Sequence, residues 1–177
     1  MITVFGSLNV DYIFQVPQLP APGETVLASN MQVLPGGKGA NQAVAAARAG
    51  AKVSMVGAVG RDALSKIALA GLLDAGVDTS AVALSTMPTG TAAINVDAQG
   101  ENAITVSSGA NLDASGDSLD EKNLTPRTTV LLQMEVPMIA MADLVQRARK
   151  KESCIVWNLA PMQCVDLALL KQVNCLI

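Results

Sequence analysis

Gly36-Gly37-Lys38-Gly39-Ala40-Asn41-Gln42-Ala43 packs glycines, a lysine and an amide into a turn that opens directly into an alanine-rich helix. Glycine lets the backbone approach a ligand closely and take positive φ, and a first helical turn offers free N–H groups at the positive end of the helix dipole. Lys38 and Asn41 add side-chain donors beside them. The stretch reads as a small-ligand site at a strand-to-helix turn. It is not a Walker loop, because the first glycine and the hydroxyl residue of that pattern fall on Gln32 and Gly39. It also lacks the third glycine of a dinucleotide fingerprint, which would fall on Gln42. A plainer account stays open, in which the glycines serve a tight turn and Lys38 is a solvated charge.

Ahead of this turn, Ile2-Thr3-Val4-Phe5 reads as a short buried strand with Gly6-Ser7-Leu8-Asn9-Val10-Asp11 at its carboxyl end. Ligands of α/β sheets bind at such strand ends. Asn9 and Asp11 lie two apart, so an extended backbone points both the same way and offers an amide and a carboxylate to one partner. Vicinal sugar hydroxyls suit that pair. Taken alone, the pair is accounted for slightly better by an Asx turn capping the strand.

In this order and spacing the two segments resemble the ribokinase branch of the ribokinase-like (PfkB) carbohydrate kinases. Pro20-Ala21-Pro22-Gly23-Glu24-Thr25, Thr89-Gly90-Thr91-Ala92-Ala93-Ile94, Gly100-Glu101-Asn102 and Gly109-Ala110-Asn111 are similar to further segments of that family. Leu131-Leu132-Gln133-Met134-Glu135-Val136-Pro137 resembles its strand ending in a sugar-binding glutamate, and Asn158-Leu159-Ala160-Pro161 its Asn-Pro-Ala-Pro turn, from which Leu159 departs. The resemblance runs along essentially the whole chain. It implies a Rossmann-like parallel sheet covered by helices, with a small β-sheet lid. It assigns sugar contacts to Asn9, Asp11, Gly37, Lys38, Asn41 and Glu135, with Ala92 and Ile94 as apolar lid contacts. A buried sugar needs each hydroxyl paired, and this set supplies both acceptors and donors. For Glu135 the residues argue independently, since a carboxylate directly after the apolar Val130–Leu132 run is costly unless it meets a partner.

The implied reaction is transfer of the γ-phosphoryl of ATP to the primary hydroxyl of ribose, with Mg2+, in some members K+, and often a homodimer paired through lid strands. Family members carry an Asn-x-x-Glu motif and a Gly-Ala-Gly-Asp motif holding the catalytic base. Neither occurs in these 177 residues. The expectation is therefore the sugar-binding half of such a kinase, inactive alone, with no catalytic or cofactor-binding residue of its own and the C-terminal nucleotide-binding half absent. Two other readings stay open: a non-catalytic pentose-binding or lid-pairing paralogue, and a kinase for another furanose such as a nucleoside or fructose.

Composition agrees with an α/β domain: hydrophobic residues make up 50%, aromatics 2%, and the net charge is -3. A basic face with stacking aromatics, which nucleic-acid binding needs, is missing. Trp157 reads as core. With no histidine, Ser-His and Cys-His nucleophile systems are excluded. Cys154, Cys164 and Cys175 form no Cys-x-x-Cys pair and read as reduced structural thiols. Met1 to Asp11 lacks the basic start of a secretory signal, and Glu135, Pro137 and Asp143 interrupt the most apolar region, so a cytoplasmic protein is expected.

Apolar segments at 2–6, 52–58, 130–134, 153–158 and 174–177 read as strands, alternating with helices near 40–50, 63–75 and 138–151. Such alternation predicts a parallel sheet. Gly50 and Gly76 sit where C-cap glycines belong. Residues 12–34 and 90–108 break the alternation and read as strand pairs, with Val96–Asn102 as a hairpin turn. Met134, Met138 and Met141 read as a core stripe and Arg147, Arg149, Lys150 and Lys151 as cations at a helix end. Asp113, Asp117, Asp120 and Glu121 read as a solvated loop and helix start.

Overall fold

The computed structural model describes residues 1–177. Six parallel strands form the main sheet: β1 (Ile2–Phe5), β4 (Val53–Gly60), β5 (Asp78–Ser85), β8 (Thr129–Leu132), β9 (Cys154–Trp157) and β10 (Cys175–Leu176), in the order β10-β9-β8-β1-β4-β5. β1 lies between β4 and β8, paired in register with both. Chain connections therefore leave the centre of the sheet in both directions, and a crevice opens at the carboxyl end of β1.

The helices α1 (Lys38–Arg48), α2 (Leu64–Asp74) and α3 (Met138–Lys150), with the short α4 (Leu167–Leu170), flank this sheet. Val4, Met55 and Val59 meet Ala40, Ala43, Ala68 and Leu72 in one buried cluster. Phe5, Val130, Leu132, Ile155 and Trp157 meet Met141, Leu144, Val145 and Ala148 in another. Phe5 and Leu132 are fully buried, each contributing about 1.5–3 kcal/mol of hydrophobic stabilisation. Small residues on α1 let that helix lie close to the sheet; the alanine-rich sequence serves packing as well as helix propensity. Gly50 and Gly76 close α1 and α2 at φ 92° and 71°.

A second, four-stranded sheet holds β2 (Asn9–Gln15), β3 (Asn30–Gly36), β6 (Gly90–Val96) and β7 (Asn102–Ser107), ordered β3-β2-β6-β7. β2–β3 and β6–β7 are antiparallel pairs, and β2 and β6 join them in parallel. These are the two segments that break the βα alternation, and Asp97 turns the β6–β7 hairpin by accepting from the Gln99 and Glu101 amides.

Several expectations are corrected. β5 is not among the expected strands, because Asp78-Thr-Ser-Ala-Val-Ala-Leu-Ser is half polar and sits at the sheet edge with most of its side chains exposed or half-buried. β2 starts at Asn9, three residues before the strand pair expected from residue 12, so Asn9 and Asp11, extended as read, stand on the small sheet. Cys164 and Cys175 are exposed and contribute nothing to the core. Met138 is only partly buried, and Met134 precedes the helix. Arg147 does more than face the α3 dipole, since its guanidinium donates to the carbonyls of Gly116 and Leu119 and pairs with Asp143 and Glu121. Asp113 accepts the Ser85 hydroxyl, and the acidic stretch after it folds into 3-10 turns capped by Ser115 and Asp120. No helix is long and apolar enough to cross a membrane.

Candidate functional site

The crevice at the end of β1 is built around the first turn of α1. Gly37 caps that helix at φ 93°, and a Cβ there would stand 2.8 Å from the Ser7 carbonyl oxygen and 3.0 Å from the Asn9 nitrogen. Only glycine fits. From the sequence, the N–H groups of this turn are expected to face a ligand, and the structure corrects that reading. Lys38 N donates to Glu135 Oε2 at 3.1 Å, Gly39 N to Ser7 Oγ at 3.3 Å, and Ala40 N to the Ser7 carbonyl at 3.0 Å. Ser7 and Glu135 therefore do the capping that a side chain at position 37 would do elsewhere, and the Glu135 carboxylate occupies the positive end of the helix dipole.

Glu135 is held from three directions. Lys38 Nζ donates to Oε1 at 2.8 Å, and Oε2 takes both the Ser7 hydroxyl and the Lys38 amide. Burial opposes its ionisation, yet the bonds from Lys38 and Ser7 outweigh it, and the carboxyl lies below its ordinary value. A carboxylate has about four lone-pair positions. One, on Oε1, is left for a ligand.

Asp11 is the opposite case. Its carboxylate accepts no protein hydrogen bond, so burial, together with repulsion from Glu135, raises its pKa, and Lys38 offsets this only in part. Its acceptor positions are open. A Cβ on Gly36, on the neighbouring strand, would collide with the Asp11 carboxylate, so the first glycine of the pair makes room for an acid rather than for the turn.

Asn9, Asp11, Gly37, Lys38, Asn41, Ala92, Ile94 and Glu135, the residues singled out in the sequence, line one cavity of about 110 Å³, joined by Ile104 and Val106. Asp11 pairs with Ala92 and Ala92 with Val106, while Ile94 pairs with Ile104. Direct partners across neighbouring strands share a face. The small sheet therefore presents one carboxylate and a row of aliphatic groups over the polar end of α1. Such a volume is below that of a drug-sized site and suits a small polyol. A second cleft of about 320 Å³ shares Asn9, Val106 and Glu135 with it and extends past Asn111, Met134 and Pro137.

A model described as the pfkB family carbohydrate kinase matches residues 1–174. The chain belongs to this family. It is 38% identical over 176 residues to the ribokinase of Haemophilus influenzae, covering 98% of this chain and 58% of that protein. With the ribokinase of Bacillus subtilis it shares 39% identity over 165 residues, covering 90% and 55%. Among solved structures, Arabidopsis thaliana ribokinase complexed with ribose and ATP superimposes with a TM-score of 0.85 at 31% identity, covering 99% of this chain and 58% of that one. The chain thus spans a little under three fifths of these relatives, and the pfkB architecture is shared over that length.

Four residues of this candidate site are not legible as such in the sequence. Ser7 and Asn111 stand inside the quoted motifs without an evident role. Both are buried, at 1% exposure, and their partners lie more than a hundred residues away in the chain. The aliphatic alternation of Ile104 and Val106 on β7 is the usable signal for the other two.

Proposed function

We propose that this chain is the sugar-binding part of an ATP-dependent kinase that phosphorylates D-ribose on its primary hydroxyl. One observation carries the reading: Asp11, with every acceptor position open, faces the partly open Glu135 and the donors of Asn9, Lys38 and Asn41 across one small cavity with aliphatic walls. Two ionised acceptors beside amide and ammonium donors match a ring of hydroxyls, each of which donates once and accepts. Ala92, Ile94, Ile104 and Val106 meet its carbon face. In this reading the small sheet is a lid, and the adjoining cleft is the side from which the phosphoryl donor approaches. The share of identity with ribokinases supports ribose over other furanoses.

ATP, Mg2+ and any K+ belong to the same proposal at the level of the family. No group of three or more His, Cys, Asp or Glu side chains comes together here, and no step is routed through a metal. What these residues do is bind the sugar, strip its water and orient it. The chain alone is proposed to bind ribose without turning it over. Met31 and Val33 are exposed on the face of the small sheet turned away from the cavity, and a second copy pairing through the lid strands is part of the proposal.

Calorimetric titration with D-ribose, D-fructose and adenosine, together with an ATP-consumption assay on the homogeneous chain, tests this. Selective ribose binding without turnover is expected. Preference for another ligand, or sugar-dependent ATP consumption, would overturn the corresponding part.

A further inference from the structure

Asn111 ends a Gly-Ala-Asn segment far along the chain from the sugar-binding motifs, yet its side chain reaches the base of the site. Oδ1 accepts from the Leu8 amide at 2.9 Å, and Nδ2 donates to the Leu8 carbonyl at 3.3 Å and to Asn9 Oδ1 at 2.7 Å. The Leu8 backbone makes this orientation unambiguous, since an N–H can only donate and a carbonyl can only accept. With Oδ1 turned to the amide, Asn111 has only N–H groups left for its neighbour, and Asn9 must answer with its oxygen. Gly90 leaves the space, because a Cβ there would collide with Asn9 Oδ1 and Asn111 Nδ2.

Asn9 is 3% exposed and lines both the small cavity and the cleft beside it. Its oxygen is spent on Asn111, and its Nδ2 has no protein partner. We infer that Asn111 is a specificity-determining positioning residue that fixes the Asn9 amide with its N–H groups toward the cavity, so that the site demands a ligand oxygen able to accept there. This rests on the polyol reading above. A hydroxyl meets the demand fully, accepting from Asn9 while donating onward to the open Asp11 carboxylate, and such a chain strengthens each bond. An ammonium at that place has no lone pair for Asn9. A deoxy carbon leaves the amide dry and unpaired, and an analogue of this kind is rejected by about tenfold or more.

Asn111→Asp tests this, because a carboxylate still accepts from Leu8 N but cannot donate to Asn9. Asn9 then turns its NH2 toward the introduced carboxylate and its oxygen toward the cavity. Calorimetry with D-ribose and its 2-, 3- and 5-deoxy and amino analogues should show, at one position of the wild type, the amino analogue weakened at least as much as the deoxy one. In N111D, where Asn9 offers an acceptor there, that amino analogue should gain about tenfold over the deoxy one, and the other positions should show no such gain. An unchanged profile in N111D overturns the inference and leaves the polyol reading intact. Binding of no sugar by the wild-type chain overturns the polyol reading and, with it, this specificity role.

Should N111D not fold, the wild type decides by nuclear magnetic resonance. A coupling across the hydrogen bond from Asn111 Nδ2 to Asn9 Cγ is expected, together with an Asn9 side-chain NH2 signal that moves with ribose and not with the discriminated analogue. A coupling in the opposite sense, or equal movement with every analogue, overturns the inference.

Discussion

Lys38 meets Glu135 twice, through its main-chain N–H at 3.1 Å and its ammonium at 2.8 Å, across 97 residues of sequence. The double contact ties the start of α1 to the segment after β8, on opposite sides of β1. The two partners differ in exposure: the Lys38 side chain is 41% exposed and that of Glu135 13%. Breaking the pair is therefore asymmetric, since a freed Lys38 can turn to water and a freed Glu135 cannot.

Lys38→Met should destabilise the chain by about 1–3 kcal/mol, the cost of leaving a largely buried carboxylate short of a partner. Glu135→Gln should cost less, because the residue left behind is neutral and Lys38 becomes solvated. Urea unfolding of both variants checks the order, and equal losses would contradict it. Both should weaken ribose binding. Because the folded-state pKa of Glu135 is lowered, its contribution is complete above its ordinary value of 4.5 and is lost as pH falls through the lower folded value.

Asp11→Asn should raise stability while removing sugar binding. The folded protein keeps a proton on Asp11 at pH values where the unfolded chain has already released it, so ionised Asp11 works against folding. That penalty is absent well below pH 3.8, where both states hold the proton, and complete above the raised folded value. Melting temperatures should show D11N above wild type at neutral pH and equal to it in acid. A neutral-pH loss would mean that Asp11 has a structural partner.

Patterning made most of the fold legible and left out what depends on long-range pairing. The β1, β4, β8 and β9 strands are apolar runs, β1 and β4 buried on both faces and β8 and β9 buried on one and half-buried on the other, and such runs stand out in a sequence. β5 does not, being a half-polar edge. At the site, residue types with an obvious chemistry are readable: Asp11, Lys38 and Glu135 on one cavity. Ser7 is not, because a serine after a strand looks the same whether or not Glu135 waits 128 residues on. Gly36 reads as turn chemistry, and its reason is the Asp11 carboxylate packed over it.

Ribose affinity should fall with acid at a higher pH than an ordinary aspartate would give. Asp11 must be ionised to accept from sugar hydroxyls, and burial and Glu135 raise its pKa. Glu135 stays ionised to lower pH and does not set the transition. Titrating the dissociation constant between neutral pH and the acid limit of folding should place the midpoint above 3.8. A midpoint at or below that value would mean that the ligand does not use the Asp11 carboxylate.

Gly37→Ala and Gly50→Ala separate a glycine that only the backbone needs from one that its neighbours need as well. Both have positive φ, 93° and 92°, which disfavours a Cβ at either, and ψ at Gly37 is 134°, outside the left-handed helical region that other residues can enter. A Cβ added at Gly50 meets nothing within 4 Å, whereas at Gly37 the new methyl meets the Ser7 carbonyl oxygen at 2.8 Å and the Asn9 nitrogen at 3.0 Å. These are backbone atoms of the segment that carries the site, and they can yield only by moving Asn9 and the first turn of α1. Denaturant unfolding should show G37A losing at least about 1 kcal/mol more than G50A, a typical margin for forcing an extra carbon into a packed position. G50A should keep wild-type ribose affinity and G37A should lose it. If both variants bind equally well, the turn tolerates displacement and the closeness of Gly37 to Ser7 and Asn9 is not what sets the cavity.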